Sequence, residues 1–196
     1  MRGVRRIAWP ATFASKGAAR LQTQHLRFRP ERSGQKALHC FLLDCSGSML
    51  GGRRLALAKG VLASLFDRIG QARDEAALIC FSGTRAERRF GPAVPRWWNE
   101  RWLRPLGGGG GTPLSSGVRS ARQLLASAAT GQVTRQRCLW ILTDGRSVDQ
   151  PPFPAEADSI VLVDFETGPL RLARCKALAE SWGALYLRPE DLLGQD

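Results

Sequence analysis

The sequence predicts an α/β fold, a mostly parallel sheet with helices on both faces. Three observations carry this. From residue 37 onward, apolar runs of strand length alternate with stretches of helical periodicity. The runs are apolar at nearly every position, as strands buried on both faces must be. Two of them stop at an aspartate, Asp44 and Asp144. Open α/β sheets build their sites beyond the carboxyl ends of strands.

The elements follow in order. "ALHCFLLD", residues 37–44, is the first buried strand. A helix over 54–69 places Leu55, Ala58, Leu62, Leu65, Phe66 and Ile69 on one face. "EAALICFS", residues 75–82, is the second buried strand, and the short, charged "AERRFG", residues 86–91, suits a sheet edge. "WWNERW" reads either as a partner surface or as a short helix packing Trp98 and Trp102 on the core; the core is expected to take one or two of the tryptophans, with Trp97 open. Thr112 before Pro113 reads as a helix start, a hydroxyl at the N-cap and proline at the first helical position. Leu114, Val118, Ala121, Leu125 and Ala128 continue that helix on one face. "RCLWILTDG", residues 137–145, is a further buried strand. "SIVLVDFE", a helix near 170–182 and "ALYLR" complete the alternation. Asp158, Asp164 and Glu166, flanking a strand, are expected in solvent.

Charge divides the chain. Of a net +12, residues 1–36 hold nine Lys/Arg against Glu31 alone, which is +8. They read as a basic arm, with a short helix across Ala11–Leu21 and a turn near "RPERSGQ", ahead of a globular domain over 37–196. Such an arm suits an acidic partner, whether nucleic acid, an anionic surface or an acidic protein segment. It equally suits a solvated arm in an arginine-rich composition, since only four of the 29 basic residues are lysine. The basic start has a short apolar patch broken by Pro10, a poor export signal, and no run approaches a membrane span. Five cysteines, an odd number without C-x-x-C, read as buried thiols. The expected compartment is therefore the cytoplasm.

The strand ends carry the chemistry. An unpaired carboxylate at the end of an apolar strand is costly, and two side by side repel unless a cation lies between them. In D-C-S-G-S the alternation turns Asp44, Ser46 and Ser48 to one side, and Gly47 permits a tight turn. With Thr112 and Asp144 they form an oxygen-only donor set, which suits a small hard cation such as Mg2+. A serine nucleophile would need a nearby base. His25 lies in the arm, His39 lies at the far end of the first strand, and G-x-S-x-G is absent. An aspartate-nucleophile phosphatase would want D-x-D, where position 46 is serine. The glycine run at 107–111 leads to Thr-Pro without a P-loop lysine, so it reads as a turn rather than a phosphate cradle. The chain is accordingly not expected to be an enzyme on its own.

D-x-S-x-S, a distant threonine and a later "TDG", in that order, resemble the metal-ion-dependent adhesion site of von Willebrand factor type A domains. The resemblance implies a six-stranded, doubly wound sheet of order 3-2-1-4-5-6 with one antiparallel edge strand. It makes Asp44, Ser46, Ser48, Thr112 and Asp144 the metal positions, with Ser46 and Ser48 direct and Asp144 through a water. The metal is then adhesive and structural, offering an open position to a partner's Asp or Glu. "LLDCSGSM", "RLALAKG", "AALICFSG", "GGGGGTPLSSGV" and "LWILTDGR" are similar to the C-terminal domain of magnesium-chelatase D subunits, as is the preceding "HLRFRPERSGQ". That likeness implies an accessory subunit for metal insertion into a tetrapyrrole. The expected partners are an AAA+ ATPase subunit supplied by another chain, and a large chelatase subunit. The rival reading is a nucleic-acid-binding protein that uses the basic arm, with the A domain as scaffold.

Overall fold

Strand β1 (Ala37–Asp44) has a partner on each side, and the sheet is built outward from it. The structure, a computed structural model, describes residues 36–51, 53–97, 113–129, 135–168 and 171–193, with Thr12 and Ser15. The chain forms two compact units, Met1–Gln35 and Lys36–Asp196. The expected helix across 11–21 (apart from Thr12 and Ser15), the turn near "RPERSGQ", Trp98, Trp102, the glycine run and Thr112 lie outside the described residues.

After β1 come α1 (Gly47–Leu50), α2 (Arg54–Gln71), β2 (Glu75–Ser82) and β3 (Arg85–Ala93). Then follow α3 (Leu114–Ala129), β4 (Gln136–Thr143), β5 (Ser159–Asp164), α4 (Arg174–Trp182), β6 (Leu185–Leu187) and α5 (Pro189–Leu192). The six strands lie in the order β3-β2-β1-β4-β5-β6. Only β2 and β3 run antiparallel. Their link is two residues, Gly83 and Thr84, and Gly83 has φ 59°, the left-handed conformation such a tight hairpin demands. Strand order and edge strand match those the resemblance implies.

One sheet face places Leu38, Cys40 and Leu42 of β1 beside Ile79, Phe81, Leu139 and Ile141. Against them pack Leu114, Val118, Ala121 and Leu125 of α3 and Cys175 and Ala179 of α4. The opposite face presents Phe41, whose ring lies 5.3 Å from that of Phe66 on α2 and 5.7 Å from that of Trp140. Helices therefore cover both faces, because β1 alternates two apolar sets rather than one apolar and one polar. Gly117 lets α3 approach closely, since a Cβ there would lie 2.8 Å from Leu42 Cδ1. Leu55, expected on the buried face of α2, is only half-buried, and Val61 joins that face instead.

All five cysteines are buried and none is in a disulfide. Burial pushes the Cys40 thiol up to about 12, so it stays protonated at neutral pH. Among the described residues no helix is long and apolar enough to cross a membrane.

Candidate functional site

β1 and β4 are adjacent, although β2 and β3 come between them in sequence. Their carboxyl ends therefore flank the point where strand order reverses. Leu43 pairs with Leu142, and that register sets Asp44 beside Thr143. Thr143 Oγ1 donates to Asp44 Oδ2 at 2.6 Å and accepts from Gly145 N at 3.2 Å. Asp44 Oδ1 accepts from Ser46 N at 2.9 Å, which turns the chain sharply after the strand. Ser46 and Ser48 then bring their hydroxyls within 3.0 Å of one another.

Asp44 and Asp144 are almost wholly buried, at 0% and 1% exposed. Burial raises the Asp44 pKa first. Hydrogen bonds from Thr143 and Ser46 pull it back, the Asp144 charge adds to the rise, and the net shift is upward. Asp144 Oδ1 accepts from Arg146 N at 3.3 Å. Its Oδ2 faces Arg54 Nη1 at 3.4 Å and Arg146 Nε at 3.6 Å. Gly145 takes φ 68°, and a Cβ there would lie 2.9 Å from Cys175 Sγ. The glycine of "TDG" therefore serves both the turn and the seat of α4.

Asp44, Ser46, Ser48 and Asp144 thus share the carboxyl end of the sheet, while Thr112 lies outside the described residues. The donor set fits a hard cation on two counts. All its atoms are oxygens, two of them in buried carboxylates. Neighbouring ligands of an octahedral Mg2+ at about 2.1 Å stand about 3 Å apart, and Ser46 Oγ and Ser48 Oγ stand 3.0 Å apart. No group of three or more His, Cys, Asp and Glu suited to a metal occurs among the described residues.

Three residues near the site had no assigned part in the sequence reading. Thr143 holds Asp44. Arg54 joins two loops, donating to Ser48 O at 2.8 Å and to Thr167 Oγ1 at 3.0 Å while facing Asp144. Asp149 completes the start of α3. Pro113 O accepts from Gly117 N at 3.1 Å, and the proline has no side-chain oxygen to offer the first turn. Asp149 Oδ2 supplies it, accepting from Ser115 N at 2.7 Å, and Oδ1 accepts from Ser147 Oγ. Burial pushes the Asp149 pKa up, but these hydrogen bonds outweigh it and hold the carboxyl below its ordinary range.

Asp149→Ala should therefore cost about 1 kcal/mol, as loss of a cap does, and lower Tm by about 2–4 °C at this chain length. The lowered pKa makes the carboxylate's contribution present above its ordinary pKa and lost as pH falls through the folded value. The wild-type advantage over the variant should thus shrink below about pH 4 in thermal melts. An advantage unchanged down to pH 2 would count against the cap.

The expectation that Asp164 is solvated is corrected. Asp164 is buried and accepts from Tyr186 Oη at 2.7 Å and Glu166 N at 2.8 Å. Glu166 accepts from Leu172 N at 2.6 Å and Ala173 N at 3.1 Å, and α4 begins just beyond, at Arg174 rather than near 170. Asp158 is exposed and pairs with Arg137 at 2.8 Å. Trp97 is 65% exposed, which removes it from the core.

The von Willebrand factor type A domain model matches residues 40–146, more than half of the chain. The chain belongs to the von Willebrand factor type A domain family. Among curated relatives, an uncharacterized Mycobacterium tuberculosis protein is 32% identical over 84% of this chain and 28% of its own length. The magnesium-chelatase 60 kDa subunit of Rhodobacter capsulatus is 38% identical over 62% of this chain and 21% of its own length. The chain thus spans about a quarter of these relatives. Among solved structures, an aerotolerance-related membrane protein from Bacteroides fragilis superposes with TM-score 0.60 at 19% identity, covering 78% of this chain and 90% of that one. Proximal thread matrix protein 1 from the mussel byssus, with a zinc-occupied MIDAS motif, gives TM-score 0.56 at 20% identity over 79% and 42%. At identities this low the superpositions show a shared fold alone.

Proposed function

We propose that this type A domain is a Mg2+-dependent protein-interaction module, serving as a non-ATPase accessory subunit beside a chelatase-type AAA+ ATPase. The observation that carries the proposal is the pair of buried strand-end carboxylates, Asp44 and Asp144, set with two serine hydroxyls 3.0 Å apart. Asp44, Ser46, Ser48, Thr112 and Asp144 would hold the ion. Mg2+ held by these residues would offer a coordination position to a carboxylate oxygen of the partner. The zinc-occupied MIDAS motif of the mussel byssus protein supports a divalent ion at such a site. The likeness to magnesium-chelatase subunits supports the partner class. The chain's own residues orient the site: Thr143 and the Ser46 amide fix Asp44, and the Arg146 amide and Arg54 fix Asp144.

The test is capture of a chelatase-type AAA+ subunit by the purified full chain, with Mg2+ and with excess EDTA. Capture in Mg2+, lost in EDTA and restored by added Mg2+, is expected. No ATP turnover is expected from this chain alone, since it has no P-loop. Full capture in EDTA would defeat the metal reading. Binding that ignores EDTA, requires the basic arm of residues 1–36 and falls steeply between 50 and 200 mM salt would favour the nucleic-acid reading.

A further inference from the structure

We infer that Arg54 is a built-in cation of this site, which opposes binding of the divalent ion and strengthens the loaded site's attraction for an anion; this rests on the metal reading above. Arg54 is the first residue of α2, and its side chain is only 18% exposed, while that of Asp144 is fully buried. Its guanidinium is held in place from two further segments, α1 and the chain after β5. Nη1 donates to Ser48 O at 2.8 Å, within the D-x-S-x-S loop, and Nε donates to Thr167 Oγ1 at 3.0 Å, beyond β5. So fixed, Nη1 faces Asp144 Oδ2 at 3.4 Å. The first turn of α2 contains no acidic residue, so no carboxylate in that turn offsets the charge.

The charges give the sign. Asp44 and Asp144 contribute −2. With Arg54 the site without its divalent ion is −1, and with a divalent ion it is +1. Without Arg54 those values are −2 and 0. A fixed cation beside a ligand carboxylate repels an incoming divalent ion. The same cation leaves the loaded site with net positive charge for a partner Asp or Glu to meet. Arg146 also faces Asp144, at 3.6 Å, but its side chain is 52% exposed and its charge is screened by solvent.

Mn2+ titration of the full chain, followed by loss of the free-ion electron paramagnetic resonance signal, tests this. Arg54→Gln removes the charge and keeps a donor. It should tighten Mn2+ binding by about tenfold, whereas Arg146→Gln should change it by less than about threefold. Arg54→Lys keeps the charge without the planar fork and should stay within about threefold of wild type. Unchanged or weaker binding by Arg54→Gln overturns the inference. So does equal tightening by Arg54→Lys, which would make fork geometry rather than charge the cause, or by Arg146→Gln. Wild type that binds Mn2+ while Arg54→Gln gains nothing leaves the metal reading standing and removes only this role. If neither binds Mn2+, the metal reading fails and the inference falls with it.

Discussion

Asp44→Ala should abolish Mg2+ binding and partner capture together, while circular dichroism stays near native. The expected loss in Mg2+ affinity is about 100-fold or more, since even residues outside the coordination shell cost 10–100-fold. The fold should survive because the buried carboxylate is itself under stress. Burial disfavours its charge, and Asp144 adds like-charge repulsion, so its pKa is raised despite three hydrogen bonds. Removing it relieves that stress. The cost is two donors left without their acceptor, the Ser46 amide and the Thr143 hydroxyl, about 1–3 kcal/mol for each group left unsatisfied. Water reaching the strand end reduces that cost. Asp44→Asn is the companion variant. Its Oδ1 still accepts from Ser46 N and its Nδ2 donates to Thr143 Oγ1, so shape is kept and charge is lost. Both variants should fail to bind Mg2+ in calorimetric titration. Native-like Mg2+ affinity in either would remove Asp44 from the site. An unfolded Asp44→Asn protein would show that the carboxylate is structural instead.

The fold was legible because its signals are local and periodic. "ALHCFLLD" and "EAALICFS" are apolar at nearly every position, and that pattern alone places them inside a two-faced sheet. The strand order came from the family resemblance of D-x-S-x-S and "TDG"; no local pattern encodes it. The parts that were missed depend on contacts distant in sequence. Asp149 reaches the start of α3 across 34 positions, and nothing near Ser115 announces it. A carboxylate after an apolar strand has two outcomes, and the sequence around Asp164 does not choose between them. Tyr186, 22 positions on, decides for burial. Arg54 did leave a sign. A cation at the first position of a helix, with no acidic residue in that turn, opposes the helix dipole. Here that charge faces a group outside the helix, the Asp144 carboxylate.

Phe41→Ala should be the most damaging single change to the fold, costing about 3–5 kcal/mol. Total stability for a domain is about 5–15 kcal/mol, so the variant should be marginal. Phe41 is fully buried in the central strand and packs against rings on two other elements, with a third ring near it on its own strand. Trp140 is stacked at 5.7 Å, Phe66 is tilted at 5.3 Å, and His39 lies at 6.5 Å on the same strand. Truncation forfeits the buried area and leaves a cavity that β1 cannot close, since β2 and β4 hold it on both edges. The loss should be read as a shift of the urea midpoint, taken in EDTA so that metal binding does not contribute. Phe41→Leu keeps most of the volume and should cost under about 1.5 kcal/mol. Because β1 carries Asp44 and the following turn carries Ser46 and Ser48, the alanine variant should lose Mg2+ binding only in proportion to its unfolded fraction. This separates it from Asp44→Ala, which loses binding while folded. A Phe41→Ala cost below about 1 kcal/mol would mean that α2 collapses into the cavity and that the aromatic layer does not anchor the strand bearing the site.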